Sequence, residues 1–200
     1  MKIIAIGGMP LDLEIGCFGT LYKYIKYGHE VYLIVVGKTN WAAKNLKTLK
    51  ESSKEIGVTE IYHVERFDYS SITQDNVNVL RSFIEAIMPS LAILPFTKAS
   101  HPRRKNLAKS SLLACREIEN ILMYESNMNT NFSPNVYSLI DNETPVKESC
   151  IEAYARDASA KKKIKKKIKL LQSYYTQESD LGGPVEVFES HKILLNNDIF

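Results

Sequence analysis

The sequence predicts a doubly wound α/β domain, in which helices cover both faces of a mostly parallel sheet. Short β-branched runs end at glycine or proline, amphipathic segments of helical length lie between them, and the two kinds of segment alternate through residues 1–125. The 200 residues are 44% hydrophobic and 24% charged, a composition that is typical of a folded domain and excludes a disordered chain.

The first β-α-β unit lies at the start of the chain. A buried strand is predicted at 2–8, a helix at 14–27 that ends before Gly28, and a second buried strand at 31–36. A right-handed crossover between parallel strands is the default for such a unit.

The same alternation then continues. Further helices are predicted at 41–56, 74–88 and 103–123, and strands at 61–64 and 91–95. The helix at 103–123 is predicted from an apolar stripe at near-helical spacing, formed by Ala108, Leu112, Cys115, Ile118 and Leu122.

Beyond Tyr124 the pattern is weaker and completes the same domain. After an Asn- and Ser-rich loop at 126–135, the pattern predicts a strand at 136–140, helices at 146–154 and 160–172, and a strand at 185–190 on a sheet edge. No internal repeat and no second domain is visible in the sequence. We therefore predict one domain over 1–200, with its core in 1–125 and its completion in 126–200.

Composition also restricts the class of protein. The three cysteines, Cys17, Cys115 and Cys150, are odd in number and widely spaced, which predicts free thiols in a reducing compartment and neither disulfides nor a thiolate zinc site. No apolar run approaches the ~20 residues of a membrane span, and the first residues lack the cleavage region of a signal peptide. These features predict a cytoplasmic protein without a membrane span.

The lysine-rich segment 161–169 carries much of the formal net charge of +3. Ile164, Ile168 and Leu171 form one narrow stripe there, which predicts a solvated surface helix that docks by this stripe. Binding to a polyanion, either acidic lipid or nucleic acid, stays open as an alternative, although the missing aromatic residues disfavour nucleic acid.

Two predicted strand-to-helix turns carry chemically active side chains, at residues 8–20 and 100–104. Ligands of open α/β sheets bind beyond the carboxyl ends of the strands, where both turns lie. Neither turn is a glycine-rich phosphate cradle, because the first runs Gly8-Met9-Pro10-Leu11-Asp12. A dinucleotide cofactor is therefore disfavoured.

These turns resemble the two motifs of the LmbE-like, or PIG-L (GlcNAc-PI de-N-acetylase), family of zinc-dependent N-deacetylases. The family's first motif, His-Pro-Asp-Asp-x-Glu followed by Leu-Gly-Cys-Gly-Gly-Thr, is matched by Pro10, Asp12, Glu14, Gly16, Cys17, Gly19 and Thr20. Its second motif, His-Pro-Asp-His, is matched by His101 and Pro102. The resemblance spans most of the chain and implies a three-layer, Rossmann-like domain.

The resemblance also implies a degenerate metal site. The family's three zinc ligands fall at Met9, Asp12 and Arg104, and its general base falls at Leu11, so that only Asp12 is kept. A catalytic zinc typically needs three protein ligands, and a protonated guanidinium cannot be one. We therefore expect no zinc cofactor and no zinc-dependent deacetylation. The histidine that the family uses to stabilise the oxyanion falls at His101 and is kept.

Arg104 suggests a specific replacement for the metal. We hypothesise that its guanidinium occupies the metal's space and pairs with Asp12, since a lone buried carboxylate is costly. The alternative is that Arg104 is a solvent-facing residue of the first helical turn.

Other candidate site residues have structural alternatives. Glu14, Arg103 and Arg104 are expected to bind substrate, although a carboxylate near a helix start and neighbouring cations on a surface are both common. Trp41 is expected to stack on a sugar ring, with a core-capping role as the alternative. Asp12 and His101 are the expected catalytic residues. Cys17 is expected to be an inert packing residue.

Three functions follow from this interpretation. The first is a metal-free relative that binds an amino-sugar or sugar-nucleotide-type ligand without hydrolysis, or that supports a partner enzyme. The second is an enzyme. It is either a hydrolase that acts on the carbon–nitrogen bond of an N-acyl amino sugar and recruits a metal through other residues, or a catalyst of a different reaction on a related amino sugar with Asp12 and His101 as acid and base. The third is a polyanion-binding or scaffold module that uses the lysine cluster. Oligomerisation stays open.

Overall fold

The computed structural model describes residues 1–8, 11–37, 39–125, 131–155 and 157–194, with all side chains in these ranges except those of residues 39–44 and 167. The strands are β1 (Lys2–Gly7), β2 (Glu30–Val36), β3 (Glu60–Val64), β4 (Leu91–Pro95), β5 (Asn120–Tyr124), β6 (Val136–Leu139) and β7 (Val185–Lys192). The helices are α1 (Asp12–Gly16), α2 (Phe18–Lys26), α3 (Thr39–Ile56), α4 (Gln74–Ile87), α5 (Pro102–Ala114), α6 (Thr144–Glu152) and α7 (Ala158–Ser179).

All seven strands form one mixed sheet in the order β3-β2-β1-β4-β5-β7-β6. The first five strands in this order are parallel to one another, and β7 pairs antiparallel with both β5 and β6. The chain moves outward from β1 through β2 to β3, and then returns to the other side of β1 to add β4. The carboxyl ends of β1 and β4 therefore form the topological switch point of the sheet.

Each face of the sheet has its own apolar core, which confirms the predicted three-layer α/β fold. On β1, Ile3 and Ala5 pack with α1, α2, α3 and α6, whereas Ile4 and Ile6 pack with α4 and α5. Strand residues that are apolar on both faces are typical of a parallel sheet covered on both sides. A smaller cluster joins α7 to β7 through Leu171, Tyr175 and Val187.

The predicted helix at 103–123 is wrong in its second half. Helix α5 ends at Ala114, and the apolar run at 120–124 is the fifth parallel strand, β5. A short apolar run fits helical and strand periodicity equally well. Here burial between β4 and β7 decides the outcome, because Tyr124 is fully buried beneath the turn that joins α1 to α2.

Two further predictions need correction. The predicted helix at 14–27 is two helices, α1 and α2, which break at Cys17, where φ is −152°. Strand β7 is not on the edge, because β6 pairs along its outer side.

The predicted strand at 136–140 and helices at 146–154 and 160–172 are confirmed as β6, α6 and α7, with α7 seven residues longer at its carboxyl end. None of the described helices combines the length and apolar character that crossing a bilayer requires.

Candidate functional site

The two chemically active turns meet at the switch point of the sheet. Four residues lie between β1 and α1, and six lie between β4 and α5, so that both turns follow the carboxyl ends of adjacent strands. This is the position at which open α/β sheets bind ligands. Met9 and Pro10, which belong to the first turn, lie outside the described residues.

Leu11 gives the first turn an unusual backbone. Its φ is 68° and its ψ is 0°, which places a leucine in the left-handed region. This conformation costs a residue with a Cβ about 1–2 kcal/mol and persists only where the surrounding structure imposes it. The turn directs the next residue, Asp12, into the interior, where only 1% of its surface is exposed.

Asp12 forms an ion pair with Arg104 across the switch point. The Arg104 Nη2 atom lies 2.8 Å from Asp12 Oδ1, and Arg104 Nε lies 3.2 Å from the same oxygen. The Arg104 side chain is 16% exposed and the Asp12 side chain is 2% exposed. The predicted pairing is therefore confirmed, and the alternative of a solvent-facing Arg104 is wrong.

The donor set at this place does not fit zinc. Asp12 provides a carboxylate, but the position of the family's third ligand holds a guanidinium, which has no lone pair to coordinate a metal. Within the ranges that the structure describes, no three His, Cys, Asp or Glu side chains come together in a group that could hold a metal ion. The Arg104 guanidinium and the Asp12 carboxylate instead neutralise each other's charge.

Glu14 lies on the same short helix but has a different partner. Its carboxylate accepts a short hydrogen bond from the Tyr154 hydroxyl, at the end of α6, and its surface is 1% exposed. Burial raises the pKa of Glu14 from 4.5 to about 7, and the hydrogen bond from Tyr154 opposes that shift. Because this carboxyl is enclosed, its expected contact with substrate stays a prediction.

The second turn presents more accessible groups. His101 is the N-cap of α5, where its Nδ1 atom accepts a hydrogen bond of 3.3 Å from the backbone N–H of Arg103. Both residues are exposed. The His101 ring thus caps the helix, and its expected catalytic role stays a prediction. Ligand binding by Arg103 and Arg104 also stays a prediction. The backbone of Trp41 lies in the first turn of α3, but its side chain lies outside the described residues.

A buried ion pair supports the site from behind. Lys147 Nζ, on α6, lies 2.5 Å from Glu186 Oε1 and donates a hydrogen bond of 2.7 Å to the Ile15 carbonyl of α1. Glu186 also accepts the backbone N–H groups of Gly19 and Thr20, at 2.8 and 2.6 Å. One carboxylate on β7 therefore caps the start of α2, and one ammonium group holds the end of α1.

Close packing also fixes the break between α1 and α2. A Cβ atom on Gly16 would lie 2.2 Å from the Tyr124 ring, so that only glycine fits there. The Tyr124 hydroxyl donates to the Ile6 carbonyl at 2.9 Å. Cys17 is fully buried beside this contact, and burial raises the pKa of its thiol well above the ordinary value, as expected for an inert packing residue. All three cysteines are buried free thiols.

Sequence reasoning missed Lys147, Glu186, Tyr154 and Tyr69. Tyr69 lies beside the first turn and donates a hydrogen bond of 2.6 Å to the Val36 carbonyl at the end of β2. A signal existed for two of these residues. Lys147 shares an inward face of α6 with Cys150 and Ile151, and Glu186 interrupts an apolar strand. A charge in an apolar pattern indicates a buried partner.

Comparison with known proteins shows what the whole chain is similar to. No family model matches the chain. It is 25% identical over 153 residues to the uncharacterized deacetylase YaiS of Escherichia coli K12, a match that covers 70% of this chain and 83% of that protein. The positions of Asp12, Glu14 and His101 at the switch point match the two motifs. The chain is similar to the LmbE-like deacetylases.

Solved structures establish the fold of this LmbE-like chain. The N,N'-diacetylchitobiose deacetylase of Pyrococcus horikoshii matches with a TM-score of 0.81 at 17% identity, covering 94% of this chain and 83% of that one. The 4-carboxy-2-hydroxymuconate hydratase GalB of Pseudomonas putida KT2440 matches with a TM-score of 0.82 at 8% identity, covering 100% and 99%. The architecture therefore serves a deacetylase and a hydratase, and the reaction depends on the site residues.

Proposed function

We propose that this deacetylase-like protein binds an amino-sugar or sugar-nucleotide-type ligand at the switch point and does not carry out zinc-dependent N-deacetylation. The ion pair between Arg104 and Asp12 is the observation that carries this proposal. A guanidinium held 2.8 Å from the one kept metal ligand neutralises that carboxylate and occupies its coordination sphere.

The loss of catalysis follows from the chemistry of the missing groups. A catalytic metal contributes several kcal/mol of charge stabilisation, and a general base contributes roughly 10²- to 10⁴-fold in rate. The Leu11 side chain can neither bind a metal nor accept a proton. Its backbone is left-handed, a conformation that aspartate adopts more readily than leucine, which supports descent from a site with aspartate at that position.

The proposed ligand class rests on the surroundings of the ion pair and on the relatives. Arg103 and His101 are exposed at the carboxyl end of β4, where they can donate hydrogen bonds to hydroxyl or phosphate oxygens. One structural relative acts on diacetylchitobiose by its name, which makes an N-acetylated amino sugar the first ligand to test.

Metal analysis tests the first half of the proposal. Protein purified without chelator should contain far less than one zinc per chain and should not hydrolyse N-acetyl amino sugars. Stoichiometric zinc together with turnover would overturn the proposal and favour an amidohydrolase with a non-standard site.

A gain-of-function series tests the role of Arg104 directly. The variant Met9→His/Leu11→Asp/Arg104→His restores the family's residues, and we expect it to bind one zinc in calorimetric titration. Its matched control is Met9→His/Leu11→Asp, which keeps Arg104 and should not bind zinc stoichiometrically. Equal zinc binding by the two variants would show that Arg104 does not replace the metal.

Ligand binding is tested separately, by NMR titration with N-acetylglucosamine and its uridine diphosphate conjugate. Arg103→Gln should weaken binding by about 10- to 100-fold, because it removes a charge-assisted hydrogen bond. Lys109→Gln, an exposed change further along α5, is the control and should leave binding unchanged. Failure of both compounds to bind would refute the proposed ligand class.

A further inference from the structure

The outward face of α7 carries an unusual combination of side chains. Lys162, Lys166, Leu170 and Tyr174 follow one another at four-residue spacing and therefore form one ridge of the helix. All four are exposed, and Leu170 and Tyr174 are 64% and 59% exposed, respectively. We call this set the α7 ridge.

The opposite face of α7 fixes the direction of the ridge. Ile168 and Tyr175 are 5% and 7% exposed, and Leu171 packs with Tyr175 against Val187 of β7. The Tyr175 hydroxyl donates a hydrogen bond of 2.5 Å to Glu125 Oε2, at the end of β5. Because these contacts hold the inner face against the sheet, the α7 ridge faces outward.

The positive charge of the ridge is not neutralised locally. Lys161 and Lys165 both pair with Glu152 of α6. By contrast, Lys162 and Lys166 form no ion pair with any residue that the structure describes. Glu178 is the sole acidic residue in the sequence of α7, one turn beyond Tyr174. The ridge is therefore cationic at one end and apolar at the other.

We propose that the α7 ridge docks on the surface of an anionic phospholipid bilayer. Lysine ammonium groups are attracted to the anionic headgroups, while leucine and tyrosine side chains enter the boundary between headgroups and acyl chains. Leu181, just beyond the helix, is also 48% exposed. A nucleic acid would attract the lysines but offers no apolar environment for two leucines.

Vesicle co-sedimentation tests this proposal with the full chain. The protein should bind vesicles of phosphatidylcholine with about 30% phosphatidylserine and should not bind vesicles of pure phosphatidylcholine. Lys162→Glu/Lys166→Glu should weaken binding by at least about 30-fold. Lys50→Glu/Lys54→Glu is the matched control, since these exposed lysines have the same spacing and charge on α3, and it should change binding by less than about 3-fold.

A second pair of changes separates a bilayer from other polyanions. Leu170→Ser/Tyr174→Ser keeps every lysine and should weaken vesicle binding by about 10-fold while leaving heparin binding unchanged. Circular dichroism and the thermal midpoint should match those of the parent, because both side chains are exposed. The proposal would be overturned by equal binding to the two kinds of vesicle. It would also be overturned if Leu170→Ser/Tyr174→Ser left vesicle binding unchanged, a result that would indicate a general polyanion site.

Discussion

Replacing Arg104 with methionine should destabilise the protein by leaving Asp12 buried without its cation. With charge centres about 4 Å apart, the two groups attract each other by about 4 kcal/mol at an effective dielectric constant of about 20. Loss of one partner from a buried pair typically costs about 3–5 kcal/mol. Because the Arg104 side chain is 16% exposed, we expect the lower value, about 3 kcal/mol.

A double-mutant cycle isolates the pairing from the loss of packing. Asp12→Asn should cost about 1 kcal/mol, since Arg104 can turn toward water, and Asp12→Asn/Arg104→Met should cost only about 1–2 kcal/mol. The coupling free energy is then about 2–3 kcal/mol. Urea unfolding measures all four free energies, with unchanged m-values as the check that the unfolded state is the same.

The neighbouring arginine provides the control for this cycle. Arg103→Met alters an exposed side chain on the same helical turn and should change stability by no more than about 0.5 kcal/mol. If Arg104→Met were as mild as Arg103→Met, or if the two changes of the cycle were additive, the ion pair would not stabilise the site as argued above.

Three further predictions concern groups near or remote from the site. Burial raises the pKa of Glu14 from 4.5 to about 7. Between these pH values the folded chain keeps a proton that the unfolded chain has released. The free energy of unfolding should therefore fall by about 3 kcal/mol as pH rises from 4.5 to 7. Urea titrations at several pH values should show this decrease in the parent and not in Glu14→Gln, and an equal slope in both would contradict it. In the same assay, Lys147→Met should lower the free energy of unfolding by about 3–5 kcal/mol, because it leaves the Glu186 carboxylate buried without its cation. Lys147→Met/Glu186→Gln should recover part of this loss. A Lys147→Met variant as stable as the parent would argue that the buried pair does not stabilise the protein. Met88 ends α4 at φ 54° and is 74% exposed. Met88→Gly should therefore raise the free energy of unfolding by about 1 kcal/mol, whereas Met88→Ala should not. Similar thermal midpoints for the two variants would show that the backbone is unstrained.

The sequence predicted most of the fold because its local signals agree with the tertiary structure. Glycines at 28 and 57 end helices with positive φ, and runs such as 31–36 are apolar on both faces, as a covered parallel sheet requires. The assignment failed at 115–123, where an apolar stripe continues past the end of α5 into β5. Periodicity cannot separate these two conformations over so short a run.

At the candidate site, the sequence predicted what the two motifs contain and missed what supports them. Asp12 and Arg104 could be paired because each falls on a motif position that shares one metal in the family. Lys147 lies 132 residues from Ile15, and Glu186 lies 167 residues from Gly19, and neither belongs to the two motifs. Such contacts depend on how α6 and β7 pack, which no local pattern specifies.

The carboxylate of Glu186 also has a consequence for folding during synthesis. The group that holds the amides of Gly19 and Thr20 is translated 167 and 166 residues after them, so the first motif turn leaves the ribosome long before its partner. A nascent chain that stops at residue 125 would have both turns and neither Lys147 nor Glu186. We expect the cleft to acquire its final shape only after β7 has been inserted between β5 and β6.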